Sequence, residues 1–204
     1  MHTELKHLVG LFRGVREIRA VVKEHCHFPD MERISIDDLV YAFEARYGVK
    51  IEFYLSPDLK DELLRGMYLR NGTKVSIYID RALSEDWIKY IQVKEMCNLI
   101  LGDDEYMTQD PAALLELMIY EESTPLDGDA PLDLVSDFWA KYAAHDFLFP
   151  FEFRVDAKAK IVAGDEDLFS LAQHYGVPEH VIDLCLSEPY SNLCQDAWDI
   201  IAAE

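Results

Sequence analysis

The chain has 204 residues, half of them hydrophobic and 12% aromatic, which excludes a disordered polymer and allows one well-buried core or two small ones. Nineteen Lys and Arg stand against 39 Asp and Glu, a formal charge of −20 that repels phosphate backbones and anionic membranes at long range. Cys26, Cys97, Cys185 and Cys194 lack C-x-x-C spacing, no apolar run nears the roughly 20 residues of a membrane helix, and the N-terminus has no signal-type apolar core, so a reduced, cytoplasmic protein is expected.

Leu5, Leu8, Val9, Leu11, Phe12, Val15, Ile18, Val21 and Val22 recur at helical spacing and predict an amphipathic helix that ends near His25 to Pro29. A second helix follows, with Ser35 to cap it, Asp37 and Asp38 at its positive end and Gly48 to stop it. Val49, Ile51, Phe53 and Leu55 alternate as a strand closed by "SPD", and "LLRGMYLRNGTKVSIYID" reads as a hairpin turning at Asn71-Gly72. Ser84 then caps a long helix, "SEDWIKYIQVKEMCNLIL", with Trp87, Ile91 and Leu99 on its buried side and Gly102 at its end. Pro111 can start a short helix through Tyr120, and "EESTPLDGDAP" is loop-like. A helix runs from after Pro131 to Pro150, and "FEFRVDAKAKIVAG" reads as an irregular or extended connector. In the helical C-terminal segment, "LAQHYGVPEHVIDLCL" has helix-turn-helix spacing around Gly176-Val177.

Chemistry enters with "IQVKEMCNLILG", Ile91 to Gly102, where Glu95 follows Lys94 and precedes Asn98 by three positions. Histidines at 94 and 98 would complete H-E-x-x-H, in which two imidazoles on one helical face hold zinc and the glutamate polarises its water. An ammonium has no lone pair to offer, and an Asn amide oxygen is a weak, neutral zinc ligand. Alone, K-E-x-x-N is a chance pattern of many helices.

The order "LLRGMYLRNGTKVSIYID", "RALSEDWIKYIQVKEMCNLILGDDE", "SDFWAKYAAHDFLFP" and "LAQHYGVPEHVIDLCL" resembles the ImmA/IrrE family of bacterial zinc-peptidase-like proteins over roughly Ile34 to Leu186. That resemblance implies an α+β fold, mainly helical, with a small antiparallel sheet next to a zincin-like helix and a C-terminal helical segment. It implies a peptidase-type domain over 1–155 and a small helical segment over 156–204 packed on it. The family's R-G sequence falls on Arg65-Gly66, its first histidine on Lys94, its catalytic glutamate on Glu95, its second histidine on Asn98 and its acidic third ligand on Asp137. Phe149-Pro150 takes the place of the family's Met-Pro.

With both histidines replaced, the expectation is a catalytically inactive zinc-peptidase-like protein that works by protein binding, without metal or other cofactor. Glu95 is then a remnant general base, and Lys94, Asn98 and Asp137 are degenerate metal-ligand positions. If Lys94, Glu95 and Asp137 converge, Lys94 serves as an internal counter-ion in place of the metal. The plainer reading is a solvated helix face, with Cys97 as a small buried filler. Members of the family often act in stress response or in phage and mobile-element control by cleaving repressors, so the resemblance implies a repressor or antirepressor protein as partner. The charge favours a basic partner surface.

Two alternatives stand beside this. A divergent metal-dependent peptidase would use Glu95 as general base with substitute ligands, of which Cys97, Asp103 and Asp104 are near in sequence but have no spacing to recommend them. A helix-turn-helix regulator would need phosphate-binding cations, yet Ile161 to Glu204 contains no Lys or Arg, so no direct nucleic-acid binding is expected. "HCH" at 25 to 27 holds three metal donors at a helix end, which reads as a surface cap. Phe169, Tyr175, Tyr190 and Trp198 read first as core and second as a docking surface.

Overall fold

The computed structural model describes residues 3–27, 29–57, 59, 65–102 and 132–204, with side chains for all of these except 3–4 and 132–137. The first helix, α1 (Thr3–His25), is the spine of the molecule. Leu8, Leu11, Phe12, Val15, Ile18 and Val22 are each 3% exposed or less, while Leu5 and Val21 at the margin of the stripe are partly buried. At Gly14 a Cβ would lie 2.2 Å from Ile100 Cγ2, so the missing side chain lets the helix cross its neighbour at close range. In α2 (Ile36–Tyr47) Ser35 Oγ accepts the Asp38 N–H at 3.1 Å, and Gly48 ends the helix at φ 63°.

Three strands follow: β1 (Lys50–Ser56), β2 (Gly66–Asn71) and β3 (Lys74–Asp80). The last two form the expected antiparallel hairpin, with Asn71 paired to Lys74 and the reversal at Gly72-Thr73, where Gly72 has φ 59°. The first strand departs from an all-antiparallel sheet: it pairs in parallel with β3, in the order β1-β3-β2. The chain leaves β1 on one side of β3 and returns as β2 on the other, so the sheet is mixed. Val75, Ile77 and Ile79 of the central strand are fully buried towards the helices.

Helix α3 (Glu85–Leu101) lies under the sheet and ends at Gly102, φ 49°. Ser84 takes the N-cap backbone conformation without a side-chain capping bond. Tyr90, Ile91, Val93, Met96, Cys97 and Leu99 are all buried, so this helix is covered on most of its circumference and not along one stripe; Trp87 is only half-buried. The segment 103–131, with the expected helix from Pro111 and the loop after it, lies outside the described residues.

Helix α4 (Leu132–Leu148) packs antiparallel on α3. Tyr90 Oη meets His145 Nε2 at 3.2 Å, and one turn along α3 and one turn back along α4 Lys94 nears Lys141.

The expected connector after Pro150 is instead a helix, α5 (Phe151–Ala163). F-E-F-R-V-D alternates like a strand, but A-K-A-K is strongly helix-forming, Pro150 sets the entry at φ −61°, and Gly164 closes the end at φ 79°. The face it buries holds Arg154 and Ala157. This helix runs unbroken across the 155/156 boundary expected from the sequence.

The C-terminal helices are α6 (Leu168–Tyr175), α7 (Glu179–Leu186) and α8 (Glu188–Ala202). The first two form the expected helix-turn-helix, with Gly176 at φ 62° and Val177 buried at the turn. The last packs along α1, where Phe12 stacks on Trp198 at 5.0 Å between ring centres. The result is an α+β fold, mainly helical, with a small three-stranded sheet. No helix among the described residues is long and apolar enough to cross a membrane.

Candidate functional site

Gly66 opens β2 directly over α3. A Cβ there would lie 2.3 Å from Ile91 Cγ2 and 3.1 Å from Glu95 Oε1, so the glycine of the Arg65-Gly66 pair leaves the space in which the carboxylate sits. Glu95 is 4% exposed. The expectation of a solvated helix face is therefore overturned: the seam between hairpin, α3 and α4 covers this position, as burial of α3 on most sides requires.

A buried carboxylate needs partners, and Glu95 finds two of them on its own helix. Lys94 Nζ donates to Oε1 at 3.1 Å, and Asn98 Nδ2 donates to Oε2 at 3.2 Å and lies 3.3 Å from the Glu95 carbonyl oxygen. The Lys94 side chain is only 12% exposed, so its ammonium turns inward to the carboxylate, as a counter-ion does. The two positions at which H-E-x-x-H would place imidazoles are thus both spent on the glutamate between them.

Lys141 joins this cluster from α4, and the sequence reading missed it. Burial, and then the neighbouring Lys94, pull its ammonium down to about 8, while Glu95 acts in the opposite direction. The signal was present: Lys141 stands four residues after Asp137 and so shares its helical face. Asp137 itself belongs to α4 one turn earlier; its side chain, like Asp103 and Asp104, lies outside the described residues.

Cys97 is fully buried, and burial first, then Glu95, push its thiol well above the usual range, so it is a filler and not a nucleophile. One turn down the seam His145 sits between Tyr90 and Tyr190, with Nδ1 2.8 Å from Tyr190 Oη. Burial, reinforced by Arg154, His180 and Lys141, lowers it to about 3, so the ring is neutral and uses one nitrogen as donor and the other as acceptor.

This set does not suit zinc. One flanking side chain is an amine bonded to the carboxylate, and the other presents its NH2 end to it. Among the described residues no group of three or more His, Cys, Asp or Glu is placed to hold a metal ion. At the end of α1, His25 is half-exposed beside Glu24, its Nε2 3.7 Å from the carboxylate.

Around the site, Arg65 lies over the Trp87 ring at 4.3 Å, and Trp87 stacks on His180 at 4.9 Å, which joins hairpin, α3 and α7. Lys89 Nζ donates to the Tyr175 carbonyl at 2.6 Å. Of the four C-terminal aromatics expected in the core, Tyr175 and Tyr190 are buried and Trp198 is half-buried, but Phe169 is 58% exposed. Phe169 follows the Asp167 cap, on the side of α6 opposite Leu171, Ala172 and Tyr175. Comparison with protein-family models and with curated proteins gives no match to this chain.

Proposed function

We propose that this protein is a catalytically inactive relative of zinc peptidases that acts by binding another protein. The observation that carries the reading is that Lys94 and Asn98, at the two positions where a peptidase has its zinc-binding imidazoles, both donate hydrogen bonds to the carboxylate of Glu95. In this reading Glu95 serves as counter-ion to Lys94 and not as general base to a zinc-bound water.

Beside this set, among the described residues, β2 pairs on one side only, with β3, so its outer edge offers main-chain groups to an extended segment. In this reading a protein segment lies along that edge above Glu95. The partner class remains the one implied by the ImmA/IrrE resemblance, a repressor or antirepressor protein, in the cytoplasm of a bacterium or in phage biology. Direct nucleic-acid contact has no part in it, because α6 to α8 carry no Lys or Arg.

The test is a peptide-display selection against the full chain, followed by titration of the selected peptides and mass spectrometry of each after incubation with zinc and with chelator. Saturable binding of a peptide recovered intact under both conditions supports the reading. Cleavage that depends on zinc overturns it in favour of a divergent peptidase with Glu95 as base.

A further inference from the structure

Elsewhere on the surface, α5 and the α7–α8 junction line an open groove of about 400 Å³, within the size range of small-ligand sites. Its walls are Val155, Ala159, Val162, Ala163 and Leu186, with Ser191 as a polar edge. Val155 and Val162 are 69% and 81% exposed, which leaves unusually open apolar surface on a helix whose inner face is fully packed.

The two charged residues that line the groove, Arg154 and Lys158, are both cations, and neither wall contributes a carboxylate. That is unexpected in a chain with twice as many acidic as basic residues. Arg154 is 2% exposed, and its two terminal nitrogens have no hydrogen-bond partner among the described residues. Asp146 is near enough to balance it, Oδ1 to Nη2 at 3.7 Å, but too far for a hydrogen bond. A buried cation lies beneath an apolar floor, and an exposed ammonium stands at its edge.

We propose that this groove binds a small amphiphilic carboxylate, an alkyl chain that ends in one anionic group. The chain covers Val155, Val162 and Leu186. Its carboxylate pairs with the exposed Lys158, while the Arg154 charge below is largely balanced by Asp146. A single charge on an apolar body suits the site better than an acidic protein segment, because each further negative charge meets the repulsion of a molecule at −20. The proposal concerns a separate surface and stands or falls independently of the reading of Glu95.

Isothermal titration of the full chain with decanoate, decan-1-ol and decyltrimethylammonium, each below its aggregation concentration, tests it. The expected result is one saturable decanoate site, at least tenfold tighter than decanol, with no binding of the cation. Lys158 is exposed, so Lys158→Glu should leave folding intact; it should weaken decanoate at least tenfold while decanol is unchanged, and Val162→Asp should weaken both. Equal affinity for decanoate and decanol, retention of wild-type affinity in both variants, or no decanoate binding overturns the proposal. Competition by a peptide with an apolar acidic C-terminus that binds more tightly than decanoate would equally overturn it and assign the groove to a protein segment.

Discussion

Glu95 and Lys94 are a buried pair, 5% and 12% exposed in their side chains, so each is costly without the other. Glu95→Leu removes the carboxylate to which the Lys94 ammonium donates and should cost about 3–5 kcal/mol by urea denaturation, whereas Glu95→Leu combined with Lys94→Met should cost clearly less. Additive losses in the double variant would show that the two side chains do not compensate each other. Lys141 gives a pH signature. Held near 8 in the folded chain against 10.5 unfolded, it leaves the unfolded state with more bound protons between those values, so stability rises as pH increases from 8 to 10.5 and the penalty is complete below 8. Lys141→Met should remove a rise on the order of 2 kcal/mol from the urea midpoints measured across pH 7.5–10.5; parallel pH profiles for variant and parent would contradict this. His145 runs the same way at acid pH. Its folded value of about 3 lies below the usual 6.5, so stability falls as pH drops through that window, and His145→Gln should flatten the acid limb.

At the scale of elements, close approach decides more than propensity. Gly66→Ala pushes a methyl group to within 2.3 Å of Ile91 Cγ2, so the hairpin must lift from α3, at about 1–3 kcal/mol, and Gly66→Ala with Ile91→Ala should recover part of the loss. A neutral Gly66→Ala in thermal denaturation would mean that the hairpin is not seated on the helix. How much of this was legible varies by element. Helices with a stripe and a cap, α1, α2 and the helix-turn-helix, could be read because periodicity and Gly or Ser punctuation agree. The connector that proved to be α5 could not, since F-E-F-R-V-D alternates at the strand period while its helical face depends on Arg154 and Ala157 meeting partners distant in sequence. The parallel pairing of β1 with β3 was likewise hidden: alternation fixes which residues face inward but not which neighbour lies alongside. At the site, the motif marked Glu95, Lys94 and Asn98, and the i, i+4 spacing from Asp137 marked the face of Lys141, but burial of Glu95 comes from the antiparallel fit of α3 to α4, which no local pattern encodes.

At the scale of the whole molecule, one carboxylate ties the C-terminal helices to the spine. Asp146 of α4 is fully buried, accepts the Phe151 N–H and Trp198 Nε1–H at 3.3 Å each, and lies 3.7 Å from both Arg19 of α1 and Arg154 of α5. Burial raises its pKa, and Arg154 and Arg19 work against that rise. Asp146→Asn takes the carboxylate away from the fully buried Arg154 guanidinium, while Arg19 keeps its pair with Glu152, and should cost about 3–5 kcal/mol in urea, with circular dichroism reporting loss of α5 to α8 together with α1. Loss of the C-terminal helices alone would show that the segment folds as a separate unit. These ties hold the antiparallel α3–α4 seam in register, and the seam in turn holds Lys94, Glu95 and Lys141 together.

If amine and amide groups stand in for zinc beside Glu95, the chain binds no zinc there. Elemental mass spectrometry of chain purified without chelator or affinity metal, before and after dialysis against zinc, addresses it directly, with Asp137→Ala as the companion variant. Near-zero zinc throughout is the expected result. One zinc per chain that disappears in Asp137→Ala would contradict it and would mean that the site has been rebuilt around other ligands.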